Sequence, residues 1–313
     1  MKPVPQNEIQ GIEILLPKRS YFEGWYFKHQ KGKNTLALIV GFSTEGTGEP
    51  SAFVQVVTND CSYNIPYPIT QFHGHRERPG TPESLRLFVG RSLFSGKGLD
   101  LYLEGPGISV KGSLLFGRLH PPATDIMGPF RFVPRMECNH GILSMYHSLS
   151  GEVAVNGERF DFNGGTGYIE KDWGHSFPEN YLWAQCNTFE QEAAAKNEKT
   201  NIIAAVARIP FAGTHFTGCI CSVFHKGHEY RLATYKGVRI LEFSESSLIL
   251  KQGHLKLELK LVSRQPQKLL APARGRMTRT VHEHTACTVA FRFSNKGEVL
   301  FDWSSPSASF EYV

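Results

Sequence analysis

Apolar positions in this chain come in short runs, many of them alternating with polar residues at a period of two. TLALIVGFS (35–43), SAFVQVVT (51–58), SLRLFVG (84–90), LDLYLEG (99–105) and ISVKGSLLFG (108–117) are aromatic or β-branched and bounded by Gly, Pro, Asn or Asp. Runs delimited in this way are strands. EVAVNGERFDF follows, with Asn156-Gly157 as a predicted type I′ hairpin turn, and then NIIAAVARIP and TGCICSVFHKGHEYRLATYKG. VRILEFSESSLILKQGHLKLELKLVS and TVAFRFSNKGEVLFDW read as further hairpins. Strands at this regular spacing predict barrels or sandwiches, so the fold class is all-β and antiparallel with little helix. EQEAAAKNEK (190–199) has helical propensity without an apolar face and reads as a short exposed insertion. HPPATDIMGPF (120–130) carries too much Pro and Gly for regular structure and reads as a connection or lid. NGGTG (163–167) is followed by strands rather than by a helix, which excludes a phosphate loop.

The chain is 313 residues long, which favours two domains. A faint internal echo points the same way. YFEGWYF (21–27) precedes one run of hairpins and NYLWAQCNTF (180–189) precedes another, each opening on a tryptophan strand with polar companions. The expected division is 1–165 and 166–313.

Composition narrows the function classes. The net charge of +5 is mild and no basic run exceeds KGK (31–33), so nucleic acid is not an expected partner. The first twenty residues contain no apolar leader and no stretch approaches 18 apolar residues, so the expected location is the cytoplasm. The six cysteines form no CxxC pair and are read as reduced, with Cys219 and Cys221 packing on one face of a strand. The pairs His73/His75 and His282/His284 are weak zinc signals, and no metal is assigned. Ser144 and His147 lack the G-x-S-x-G setting of a hydrolase nucleophile.

Period-two geometry distributes the chemistry over faces. In NYLWAQCN, Tyr181, Trp183, Gln185 and Asn187 share one side, which suits a cavity wall, and Leu182, Ala184 and Cys186 share a packing side. In YFEGWYF, Glu23 lies with Tyr21, Trp25 and Phe27, so its carboxyl must be hydrogen-bonded or protonated. In IEKDW, Glu170 and Asp172 share a side while Lys171 points away, near Trp173. Two carboxyls on one side push their pKa values apart and leave one acid protonated; a surface ion-pair cluster is the alternative.

FEGWYF (22–27), DIMGPFRFVPRMECNHGILSMYHSLSG (125–151), VNGERFDFNGG (155–165) and GYIEKDWGHSFPENYLWAQCN (167–187) together resemble the tocopherol cyclase family, and GRMTRTVHE (275–283) does so more loosely. Carotenoid 1,2-hydratases are related to that family. The resemblance implies two lipocalin-like (calycin-type) β-barrel domains with an apolar ligand cavity. It also implies an isomerase of the intramolecular-lyase type, in which a phenol oxygen adds to the alkene of a prenylated hydroquinone's own tail. That reaction needs a Brønsted acid, a base for the phenolic proton and aromatic faces near the cation, with neither cofactor nor metal. Asp172 is the leading proton donor, with Glu170 and Glu23 as rivals. Trp25, Trp173 and Trp183 are the cavity aromatics, and His140, Gln185 and Asn187 hold the quinol oxygens. The expected partner is an apolar isoprenoid or prenylquinol, collected by peripheral contact with a membrane. A carrier without chemistry and a hydratase acting on an isoprenoid alkene are the alternatives.

Overall fold

The computed structural model describes residues 20–46, 48–76, 81–134, 136–191, 199–211, 213–264 and 266–313. Most of the insertion expected at 190–199 lies outside them. The chain opens with β1 (Tyr21–Lys31), β2 (Asn34–Thr44), β3 (Ser51–Thr58), β4 (Ser62–Pro68) and β5 (Phe72–Arg76). Next come β6 (Leu85–Val89), β7 (Ser92–Ser95), β8 (Gly98–Gly105), β9 (Ile108–Phe116) and the long β10 (Cys138–Val155). The middle of the chain forms β11 (Glu158–Asp161), β12 (Thr166–Gly174), β13 (Tyr181–Cys186), β14 (Asn201–Phe211) and β15 (Thr214–His225). The remainder forms β16 (His228–Ala233), β17 (Arg239–Phe243), β18 (Ser247–Gln252) and β19 (Leu255–Leu261), then β20 (Gln267–Ala273), β21 (Arg276–Asn295) and β22 (Glu298–Tyr312).

Two antiparallel sheets result. The first has 12 strands in the order β4-β3-β2-β1-β12-β10-β9-β8-β7-β6-β5, with β11 beside β10. The second has 10 strands in the order β16-β15-β14-β13-β22-β21-β19-β18-β17, with β20 beside β21. Their wiring is the same. A four-strand meander opens each sheet, the remaining strands return from the far edge, and the final strand (β12 or β22) closes onto the first. The echo between YFEGWYF and NYLWAQCN marks those two opening strands. In each sheet the edges are consecutive strands, and among the described residues no ladder joins them, so each is an open, lipocalin-like sheet rather than a closed barrel.

The hairpins turn on residues with positive φ. Asn156-Gly157 adopts φ 51 and 86, as expected for a type I′ turn. Lys226-Gly227, Arg274-Gly275 and Lys296-Gly297 have the same signature.

Packing divides the chain into two compact units that are discontinuous in sequence. The first comprises Met1–Pro121, Ile142–Phe177 and Leu269–Thr280, and the second Pro122–Gly141, Pro178–Lys268 and Val281–Val313. The core of the first unit gathers Trp25, Phe27, Leu38, Val40, Phe94 and Ile169 with their neighbours. That of the second gathers Leu182, Cys186, Val206, Phe291 and Phe310 with theirs. Each such large side chain contributes about 1.5–3 kcal/mol of burial.

The segment HPPATDIMGPF is fastened by hydrogen bonds. Within the second unit, Glu229 accepts from the Ala123 amide at 2.7 Å. Arg231 donates to the carbonyls of Asp125 and Thr124, each at 3.1 Å. Tyr235 adds a bond to the Ile126 carbonyl at 3.2 Å.

Cys219 and Cys221 are buried and unbridged on the core side of β15, as their spacing predicted. Burial pushes the Cys221 thiol up to about 12 and raises Cys219 well above its ordinary value. We therefore expect a thiol reagent at neutral pH to modify exposed Cys61 in the native protein and to reach Cys219 and Cys221 only on unfolding. Mass mapping of the modified peptides with and without denaturant checks this.

Candidate functional site

The ladder between β1 and β12 carries the proposed acids, and its register decides which of them share a face. Glu23 pairs with Trp173 and Trp25 with Lys171; Gly24 pairs with Asp172, Tyr26 with Glu170 and Lys28 with Tyr168. Directly opposed residues of an antiparallel pair point the same way. Tyr21, Glu23, Trp25, Lys171 and Trp173 therefore lie on one face of the ladder, and Tyr26, Lys28, Tyr168, Glu170 and Asp172 on the other.

The first group faces the core. Glu23 is 0% exposed and forms an ion pair with Lys171, whose side chain is 15% exposed. Tyr21 donates a further hydrogen bond to Glu23 at 2.8 Å. Lys171 lies over the rings of Trp25 and Trp173, 4.9 Å from each centroid. Trp25 itself stacks on Phe72 in the core. The two indole faces expected to stabilise a carbocation thus already hold a resident cation, and Glu23 is the counter-charge of that cation. The alternative raised by its aromatic neighbours, hydrogen-bonded or protonated, resolves to hydrogen-bonded and ion-paired.

On the reverse face, Tyr168 and Glu170 are buried although they point away from the apolar core, and Asp172 is half-buried. Tyr168 donates to Glu170 at 2.5 Å. Burial, followed by the charge and hydrogen bond of Glu170 and the charge of Asp172, holds the Tyr168 hydroxyl protonated well above 10. Tyr168 is thus an obligatory donor and Glu170 its acceptor. Glu170 and Asp172 stand two residues apart on one strand, and their carboxylate oxygens lie within 4.8 Å of each other. Opposite Asp172 the ladder offers room, because a Cβ on Gly24 would meet nothing nearer than Ile39 at 4.0 Å. Sequence reasoning gave Tyr168 no role, although period two from Glu170 points to it.

Tyr168 also has a consequence for stability. The folded chain keeps this proton above pH 10, where the unfolded chain releases it. The contribution is complete below about pH 10 and is lost as pH rises beyond it. Tyr168→Phe is expected to flatten the alkaline limb of a denaturation series run between about pH 9 and 11.

In the second unit, Leu182, Ala184 and Cys186 join the core, as their alternation predicted. Tyr181, Trp183 and Gln185 point the other way and are buried as well. Tyr181 donates to Glu311, which lies opposite Trp183 in the β13–β22 ladder. Glu311 in turn opposes buried Glu283 of β21, a carboxylate pair that sequence reasoning missed. Asn187 follows β13 and is buried. His140, at the start of β10, packs with the second unit.

The weaker candidates separate. His282 is exposed whereas His284 is buried, and His73 is half-buried on β5; the side chain of His75 lies outside the described residues. Ser144 gives its proton to the Tyr146 carbonyl at 2.8 Å and accepts from His147 at 3.1 Å, the reverse of an activated nucleophile.

Comparison with known proteins agrees with this architecture. The chain is 28% identical over 99 residues to the probable chloroplastic tocopherol cyclase of Oryza sativa subsp. japonica, and 27% identical over 99 residues to the chloroplastic tocopherol cyclase of Zea mays. Those segments cover 31% of this chain and only 21% and 20% of the two plant proteins. Among solved structures, kievitone hydratase from Nectria haematococca superposes over 100% of this chain and 93% of its own, with a TM-score of 0.52 at 12% identity, a likeness of fold. The model of the tocopherol cyclase-like family matches residues 108–311, so it reaches far beyond the motifs read from the first 190 residues and leaves FEGWYF outside. On that match, which spans more than half of its length, the chain belongs to the tocopherol cyclase-like family.

Proposed function

We propose that the protein is an enzyme of the cyclase or hydratase type acting on an isoprenoid alkene, and that its reaction closes a chromanol ring on a prenylated, phytyl-type hydroquinone. The observation that carries this reading is the row of buried Tyr168 and Glu170 with half-buried Asp172 on the reverse face of β12. Asp172 transfers its proton to the less substituted alkene carbon. A C–H bond forms as the π bond breaks, and tertiary-cation character develops at the neighbouring carbon. The phenol oxygen attacks that carbon, and its proton passes to Glu170, which Tyr168 orients and keeps as a base. No atom is gained or lost, so the product is an isomer of the substrate. Holding alkene and phenol together beside this acid and base lowers the barrier through proximity.

Water replacing the phenol oxygen would make the same row a hydratase, and an inert pocket would make the protein a carrier. Incubation of the protein with a prenylated hydroquinone in D₂O, followed by mass spectrometry, separates these outcomes. Ring closure gives an isomer with one deuterium on the protonated carbon, and hydration gives a product heavier by one water. Binding without conversion would overturn the enzyme reading. Among the described residues no helix is long and apolar enough to cross a membrane.

A further inference from the structure

The first unit holds two buried imidazoles that the acid chemistry does not use. His29, on the core face of β1, lies opposite Gly167 of β12. A Cβ on Gly167 would sit 2.1 Å from Nε2 of His147, so the His147 ring fills the place a side chain would have taken beside His29. Both rings pack against Phe116, with centroids 5.6 and 4.5 Å away, and Phe162 closes over His29 at 6.1 Å. Both histidines are 0% exposed.

Hydrogen bonds fix their tautomers. His29 Nδ1 donates to the Leu36 carbonyl at 3.1 Å. The Ser144 hydroxyl spends its proton on the Tyr146 carbonyl, so His147 Nδ1 must donate to Ser144 Oγ. Each Nε2 is then a bare lone pair, and neither has a hydrogen-bond partner among the described residues. A buried acceptor left unmet costs about 1–3 kcal/mol, so each of the two calls for an occupant. Burial lowers His29 to about 4, and burial with the charges of His29 and His120 takes His147 well below its ordinary value. Both rings are thus neutral at physiological pH.

We propose that His29 and His147 bind one transition-metal ion of low coordination number through their Nε2 atoms, with cuprous copper as the matching class. Neutral imidazole is a common metal ligand, and copper is among the metals it suits. An Nδ1–H anchored on a carbonyl or hydroxyl is the outer arrangement that orients such ligands. A structural zinc site takes four donors, whereas this pair supplies two. The phenyl walls bring no anion to balance a dication, so a monovalent ion is the less costly charge to bury.

Anaerobic titration of the protein with Cu(I) against a chromophoric Cu(I) chelator tests the proposal. One equivalent should be withheld from the chelator by the wild type and by His120→Gln, and released by His29→Gln and His147→Gln. Should either variant fail to fold, ¹⁵N-histidine NMR of the wild type gives the same answer, because Cu(I) is diamagnetic. Two buried Nε2 resonances should then move on addition of copper while those of the exposed histidines stay. A chelator that keeps all the copper, retention of the equivalent by His29→Gln/His147→Gln, or unmoved buried resonances would each overturn the proposal. A bridging water or ligand hydroxyl would then be the occupant.

Discussion

Asp172→Asn is expected to fold and to turn over a prenylated hydroquinone about 10²–10⁴-fold more slowly, the usual loss on removing a general acid. Glu170→Gln should fall in the same range, because its amide oxygen still accepts from Tyr168 but no longer takes a proton. Ligand binding should survive both changes. Glu23→Gln should behave differently, since it lies on the opposite face of the ladder as the partner of Lys171. Removing one member of a buried ion pair leaves the other uncompensated, so its cost appears in stability, about 3 kcal/mol by denaturant titration. Turnover per folded molecule should persist. If Glu23→Gln were stable and inactive while Asp172→Asn worked normally, the acid would belong on the core face with Trp25 and Trp173.

Gly167→Ala is expected to destabilise the first unit strongly. The new methyl would lie 2.1 Å from Nε2 of His147 and 2.6 and 2.7 Å from the adjoining ring carbons. Its ring cannot simply swing away, since Phe116 packs against it at 4.5 Å and Ser144 holds its Nδ1. Overpacking of this kind costs about 1–3 kcal/mol, and the lost hydrogen bond takes the expected value to the top of that range or beyond. His147→Ala should itself destabilise the chain, yet in the double variant the two costs should fall well short of their sum, because the obstruction is gone. Strict additivity in that cycle would show that the ring and the Gly167 backbone do not compete for space.

Alternation made much of this legible in the sequence. It grouped Glu23 with Tyr21 and Trp25, paired Glu170 with Asp172, and separated Leu182, Ala184 and Cys186 from Tyr181, Trp183 and Gln185. What it could not supply was which side of each strand meets the core. Both sides of β1 and β12 are largely buried and both mix polar with aromatic residues, so hydrophobicity does not distinguish them. That ambiguity placed three carboxylates in rivalry that the register divides between opposite faces. Alternation set Lys171 apart from Glu170 and Asp172, near Trp173, and the structure gives it two indoles and the buried carboxylate of Glu23. The turn at Arg274-Gly275 went unrecognised because Arg stands where Asn or Asp usually signals positive φ. The imidazole pair carried no local motif at all, since His29 and His147 meet only through the β1–β12 register and the vacancy at Gly167.

The way each sheet closes sets the order in which the chain can fold during synthesis. Phe22 pairs with Gly174, and Leu182 pairs with Tyr312. As β1 leaves the ribosome it finds β2 at once, yet its other edge stays bare until β12 has been made. At ordinary elongation rates that interval is on the order of ten seconds, long compared with hairpin formation. The exposed edge belongs to a strand rich in aromatic residues, a ready template for unwanted pairing. The strand that carries the proposed acids is therefore also the piece that covers the bare edge of β1.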